Sequence, residues 1–192
     1  MALNIEKMGN MQRTDYCGTL RKEDIGRTVT VCGWVQRQRD LGQLIFIDLR
    51  DRTGIVQLAF DDSTDREMFE KAFHIRSEYV LIASGEIRER SSINKDIPTG
   101  DIEIVPTELR VLSVSETTPF EILESTNVKE ELRLKYRYLD LRRPPVQNAI
   151  MFRHKVVKCA RDYYDENGFV EIETPIMVKS TPEGARDYLV TS

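Results

Sequence analysis

The chain is poor in residues that would signal several common chemistries. Its two histidines, His74 and His154, stand far apart, so a paired-histidine metal site is not indicated. The three cysteines, Cys17, Cys32 and Cys159, are odd in number and lack metal-type spacing. That argues against a disulfide framework or zinc site and for reduced, buried thiols. No apolar run approaches the roughly 20 residues needed to cross a bilayer, so no membrane partner is expected. Positive charge is not in excess either: 28 Lys and Arg face 32 Asp and Glu, for a net charge of −4. Any attraction to nucleic acid must then come from local clusters, and Arg37–Arg39 and Arg133–Arg143 supply them. Met1–Gln12 carries Glu6 and lacks the arginine-rich pattern of a targeting peptide, which leaves the cytoplasm as the expected location.

What is present reads as globular. Hydrophobic residues make up 40% and charged residues 31% of 192 positions, room for one domain of about 100 residues and part of a second. Short β-type runs occupy Val29–Gln38, Leu44–Arg50 and Ile55–Phe60, separated by turn residues around Gly42 and Gly54. Thr64–Ile75 then changes to helical spacing, with Thr64 and Glu67 suited to a capping box. Two further strands are expected at Tyr79–Arg88 and Ile102–Val111. Three strands, a helix and two strands is the element order of an OB-fold barrel.

Strand alternation sorts these residues by face. Ile45, Ile47 and Leu49 share one face, leaving Phe46, Asp48 and Arg50 on the other. Val56, Leu58 and Phe60 leave Gln57 opposite, and Ile102 and Ile104 leave Glu103 opposite. A ring, a primary amide and a carboxylate are thus expected on the solvent side. A ring can stack on an unpaired base, and an amide can donate and accept along a base edge. The competing readings are that a loop or neighbouring domain covers Phe46, that Arg37–Arg39 is a solvated strand end, and that Trp34 fills space at the barrel's edge.

Beyond the barrel, Glu116–Lys129 has little periodicity and a Thr-Thr-Pro turn signal, so it reads as a linker. Glu130–Leu139 is helix-compatible, its cations facing either water or phosphate. Apolar residues from Val146 to Tyr164 recur at three- and four-residue steps, predicting a helix from Pro145 to Asn167 of about 22 residues, or roughly 33 Å. Gly168–Pro175 (GFVEIETP) is strand-like, and Thr181–Val190 (TPEGARDYLV) is a turn-rich string.

RLKYRYLDLRR at 133–143, the long helix, the strand ending in Pro175 and TPEGARDYLV follow one another in an order that resembles the start of a class II aminoacyl-tRNA synthetase core. The wording is most similar to that of bacterial-type aspartyl-tRNA synthetases, from Arg13 to the last residue. The resemblance implies a β-rich OB-fold barrel followed by the incomplete start of an α+β class II catalytic domain. Its implied divisions are an extension at 1–12, an anticodon-binding OB-fold at 13–115, a hinge at 116–130 and the catalytic start at 131–192. In such enzymes the barrel holds the tRNA anticodon. Phe46 would stack on the central uridine and Gln57 pair with its edge, while Arg39 and Glu103 contact neighbouring groups. Pro175 would close the dimer-forming motif 1, and Glu183 would meet the ammonium of bound aspartate in a closing loop.

The implied intact enzyme activates L-aspartate with ATP and Mg2+ to aspartyl-adenylate, then esterifies tRNA(Asp), as a homodimer. The family's ATP-gripping arginines and magnesium ligands have no counterpart in these residues, so no catalytic or metal-binding residue is expected within the chain, and the chain alone is expected to be inactive. The loop Ser91–Lys95 is shorter than the family's pattern, at a place that bears on telling aspartate from asparagine tRNAs. Two rival readings are a non-catalytic OB-fold RNA-binding protein and a related ligase for lysine or asparagine. RYLDLRR and TPEGARDYL weigh against the second rival.

Overall fold

Alternating apolar residues in five consecutive runs need a sheet with one face buried throughout, and closing the sheet on itself meets that need without leaving an edge. The structure, a computed structural model, describes residues 4–177. Its strands are β1 (Thr28–Asp40), β2 (Ile45–Arg50), β3 (Ile55–Phe60), β4 (Val80–Glu89) and β5 (Ile102–Ser113), with helix α1 (Arg66–His74) between β3 and β4. They form a closed barrel in the order β1-β2-β3-β5-β4. This is the OB-fold expected from the element order.

β1 serves two partners. Its first half pairs with β4, and its second half, beyond a register shift between Val35 and Arg37, pairs with β2. A bulge there lets one long strand bend around the barrel corner. The bend brings Gly33 against β2, where a Cβ would run into the Arg50 carbonyl. β3 and β5 close the ring by a short parallel pairing, Gln57 opposite Glu103 and Leu58 opposite Ile104.

The inward set is Val29, Val31 and Val35 from β1, Ile45, Ile47 and Leu49 from β2, and Val56, Leu58 and Phe60 from β3, all fully buried. Leu81, Ala83 and Ile87 join them from β4, and Ile102, Ile104, Leu109 and Val111 from β5. Cys17, Leu20, Ala72 and Ile75 complete the core. Helix α1 starts at a different cap from the one the sequence suggested. Asp65 accepts from the backbone N–H groups of Glu67 and Met68, whereas the Thr64 hydroxyl accepts from Asp61 N–H in the preceding turn. An aspartate one position later outcompetes the threonine because its carboxylate accepts two orphan donors and complements the helix dipole.

The chain divides into two compact units, Met1–Arg142 and Arg143–Ser192. Within the first, residues 114–129 form no helix or strand, yet Phe120 and Ile122 are buried with Leu139 in a second small core. Val128, Leu132 and Tyr136 pack against it. The short helices α2 (Glu130–Lys135) and α3 (Arg137–Asp140) follow. Asp140, fully buried, draws in Arg137 at 2.6 Å and Arg133 at 3.5 Å. These cations of the RLKYRYLDLRR string are therefore partly spent on an internal carboxylate.

In the second unit, α4 (Pro144–Glu166) begins with two prolines in its first turn and stops before Gly168, whose φ is +81°. None of its residues is buried, so its apolar stripe, including Ile150, Val157 and Tyr164, is open. Cys159 is exposed too, against the expectation of a buried thiol. The strand expected at 168–175 is not formed: the segment joins no ladder, and Phe169, Val170 and Ile172 are exposed. A strand exists by pairing, and among the described residues nothing is offered to it. Phe169 instead folds back on Tyr164, and Glu171 pairs with Arg161 at 2.8 Å. Among the described residues no helix is long and apolar enough to cross a membrane.

Candidate nucleic-acid interface

Register on the outer face sets one continuous row across the barrel. Arg37 on β1 lies opposite Asp48 on β2, Asp48 opposite Gln57 on β3, Gln57 opposite Glu103 on β5, and Glu103 opposite Arg88 on β4. Phe46 stands one outward position along β2 and lies opposite Arg39. The four residues expected to read an anticodon, Phe46, Gln57, Arg39 and Glu103, are thus brought together on one face.

The contacts along this row are polar and specific. Arg39 Nη2 donates to Asp48 Oδ1 at 3.0 Å and to Gln57 Oε1 at 2.9 Å. Gln57 Nε2 donates to Glu103 Oε2 at 2.7 Å. Arg88 then donates from Nε to Glu103 Oε1 at 2.8 Å and from Nη1 to Asp61 Oδ2 at 2.9 Å. The guanidinium of Arg39 sits 5.6 Å from the centre of the Phe46 ring, within cation–π range, and the ring is half-buried.

One expectation is corrected here. Gln57 and Glu103 lie on the outer face, as alternation requires, but they are only 3% and 4% exposed rather than open to solvent. The long side chains of Arg39 and Arg88 bond to them from either side. Polar groups on adjacent outward positions satisfy one another laterally before they satisfy a ligand. Alternation alone does not reveal this.

Charge balance follows from the same contacts. Burial works against the charge of Arg88, but its hydrogen bonds to Glu103 and Asp61 outweigh that and hold its pKa above the ordinary arginine value. The Asp61 carboxyl is held below the usual carboxylate range, first by the Ser63 hydroxyl and also by Arg88. Arg39 Nε is buried without a partner, a donor left unsatisfied at the centre of the face. The exposed Arg37 is the more available cation of the expected Arg37–Arg39 cluster. The face therefore offers a stackable ring beside a braced amide rather than a broad field for phosphate.

The other end of β2 is built differently. Arg50 grips Glu78 with Nη2 at 2.9 and 3.0 Å and also donates to Gln36. Gln36 Nε2 in turn donates to the Ile122 carbonyl at 3.1 Å. Arg142 stacks over Trp34 at 4.6 Å and lies 3.8 Å from Glu78. Trp34 is thus an edge filler covered by arginine. Between this region and the outer row lies a cleft of about 650 Å³ lined by Gln36, Arg37, Asp48, Arg76 and Glu121, among others.

Sequence reading placed Asp48 on this face but missed Arg88 and Asp61 as partners of the row. The signal was available for Arg88, because pairing β4 with β5 in register puts it beside Glu103. Asp61 lies just past β3 and carried no such signal. Cys17 is buried with its backbone N–H on Asp51 at 2.7 Å, and burial, with Asp51 nearby, pushes its thiol pKa up, so it is an inert core group. Pro175 is exposed at the end of the second unit's described segment, and Glu183 lies outside the described residues.

Comparison with known proteins agrees with the fold. Residues 29–112 match the family model described as "OB-fold nucleic acid binding domain", and residues 129–192 match "tRNA synthetases class II (D, K and N)". The chain is 59% identical to an aspartate–tRNA ligase of Ruminiclostridium cellulolyticum, over 97% of the chain and 32% of that protein. It is 56% identical to an aspartate–tRNA(Asp/Asn) ligase of Halothermothrix orenii over the same shares. Among solved structures it resembles the asparaginyl-tRNA synthetase of Pyrococcus horikoshii complexed with asparaginyl-adenylate. That match has 28% identity and a TM-score of 0.76, over 91% of this chain and 39% of that one. The chain spans about a third of the length of the curated relatives it matches.

Proposed function

Over the 32% of their length that it spans, the chain is a homologue of the aspartate–tRNA ligases, and from that premise we propose that it reads a tRNA anticodon and opens the catalytic domain of such an enzyme. The intact enzyme activates L-aspartate with ATP to the adenylate and esterifies the 3′ end of tRNA(Asp), in the cytoplasm and as a homodimer whose motif 1 ends at Pro175. A free-standing RNA-binding barrel does not account for the class II match at residues 129–192.

One observation carries the RNA-reading part: the half-buried Phe46 ring stands beside the Gln57 amide on the outer face of the barrel, with Arg39 and Glu103 attached to that amide. The ring stacks on an unpaired base and the amide meets its edge. Titrating the chain with the anticodon stem-loop of an aspartate tRNA tests this. Phe46→Ala is expected to weaken binding by about 1–3 kcal/mol if the ring stacks on a base. Equal affinity of variant and parent would make Phe46 a covering residue only.

The catalytic part rests on resemblance. Among the described residues no cluster of three or more acidic, histidine or cysteine side chains is placed to hold a metal ion. The chain alone is expected to show no aspartate-dependent exchange of pyrophosphate into ATP, and exchange above background from a clean sample would overturn that. Glu183 is proposed to hold the substrate ammonium through a charge-assisted hydrogen bond. In a full-length ligase carrying this sequence, Glu183→Ala and Glu183→Gln should both raise the aspartate requirement and leave the ATP requirement nearly unchanged. Unaltered aspartate dependence would return Glu183 to the surface.

A further inference from the structure

The Gln57 amide has two possible orientations, and its neighbours permit one. Arg39 donates to its oxygen at 2.9 Å, and its nitrogen donates to Glu103 at 2.7 Å. Turning the amide over would set its NH2 against a guanidinium and its oxygen against a carboxylate, losing two charge-assisted bonds and creating two repulsions. Glu103 is held in turn by Arg88, and Arg88 by Asp61, at 2.8 and 2.9 Å. Arg88 thus bridges two carboxylates with a planar group that fits both at once.

Resting on the anticodon-reading role above, we propose that Asp61 and Arg88 are positioning residues for base specificity: they fix Glu103, which fixes the Gln57 amide and thereby sets which base edge the site accepts. After these internal bonds the amide keeps one acceptor lone pair and one N–H, with its oxygen on the Arg39 side and its nitrogen on the Glu103 side. Uracil offers N3–H beside O4 where cytosine offers N3 beside its 4-amino group, so the two bases present opposite donor–acceptor senses to one fixed amide. Cytosine would need the amide reversed. The stacking ring of Phe46 carries no such preference, since every base has a π-face. Affinity and specificity therefore reside in different residues of one face: the ring supplies the first and the Asp61–Arg88–Glu103 brace the second.

The test uses residues 1–192 and stem-loops that differ in one loop base, U or C. The parent is expected to prefer U by about tenfold, the order of one bidentate base contact. Arg88→Gln and Glu103→Gln are each expected to cut that preference to about threefold or less, mostly by letting the C loop bind better relative to U. Asp61→Asn, placed at the end of the brace and least exposed to a folding defect, should give an intermediate ratio. Phe46→Leu should weaken both loops alike and leave the ratio intact. Urea midpoints of all four variants separate folding loss from altered reading. If Arg88→Gln, Glu103→Gln and Asp61→Asn bind with the parent's preference, or lose affinity for both loops in parallel, the brace is structural and the inference fails while the anticodon-reading role stands. If the parent binds neither loop, that role fails and the inference falls with it.

Discussion

The outward row of β2 runs from Phe46 to Arg50, and each end seeds an arginine–carboxylate network of a different kind. At the Arg50 end the partner side chains are 11% and 6% exposed and the residues beyond the barrel are bonded in. At the Asp48 end the arginine and carboxylate are 36% and 23% exposed and, among the described residues, no segment beyond the barrel is shown bonded to them. The first network is shut by chain; the second is shut only by the side chains of its own members. The same chemistry on the same strand thus serves as a fastening where the chain covers it and forms the proposed recognition surface where the chain leaves it open.

That contrast breaks most visibly at Glu78. Glu78→Ala leaves Arg50 buried without its partner and is expected to cost about 3–5 kcal/mol in urea unfolding, whereas Asp48→Ala, at the open end, should cost about 1 kcal/mol or less. Glu78 also has a φ of 64°, in the left-handed region. Glu78→Gly should therefore lose about 1 kcal/mol less than Glu78→Ala. A cost at Asp48 equal to that at Glu78 would erase the distinction between the two ends.

Next in size is the anchor of the segment beyond the barrel. Ile122 is 4% exposed in the small second core. Ile122→Ala is expected to cost about 2–4 kcal/mol and to speed proteolysis around residues 116–130, with the RNA face unaffected. Unchanged proteolysis would mean that the Gln36 bond to the residue-122 carbonyl holds the segment without that side chain.

Phe46→Ala sharpens the comparison from the other side. Its ring is half-buried on an outer face, so its stability cost should stay near 1 kcal/mol or below even where its RNA loss is larger. A larger urea effect would recast Phe46 as a packing residue.

The smallest effect expected is with acid. The Asp61 carboxyl has a depressed pKa in the folded chain, so its contribution is fully present above the unfolded carboxylate value near about 3.9 and is lost as pH falls through the lower folded value. Asp61→Asn should therefore lower stability modestly at neutral pH, where that contribution is present, and flatten the profile below about pH 4. An unchanged acid limb would show that Arg88 draws nothing from Asp61.

The barrel was legible because its information is local and periodic. Ile45, Ile47 and Leu49 alternate with Phe46, Asp48 and Arg50, and β3 matches its expected bounds of Ile55–Phe60. The site was legible as a set of outward residues but not as a network. Alternation reports the face of Gln57 and Glu103, whereas their burial depends on arginines contributed by β1 and β4, fixed by register across the closed ring. The segment at 168–175 shows the opposite limit: β-propensity reads a strand into Phe169–Thr174, but a ladder requires a partner that propensity cannot supply. Asp65 displaced Thr64 as the cap because the choice between adjacent polar residues turns on the geometry of one turn.

The pairing of Gln57 with Glu103 spans 46 residues of sequence, and it is the step that closes the ring. Loops of this length form late and slowly compared with the β1–β2 and β2–β3 hairpins, which need only local closure. During synthesis the stacking ring at Phe46 is therefore in place well before the amide is pinned. Under the proposed base-reading role, a chain released or stalled before Ile102 would carry the ring that holds a base without the brace that chooses it, and selectivity would arrive only with the last strand.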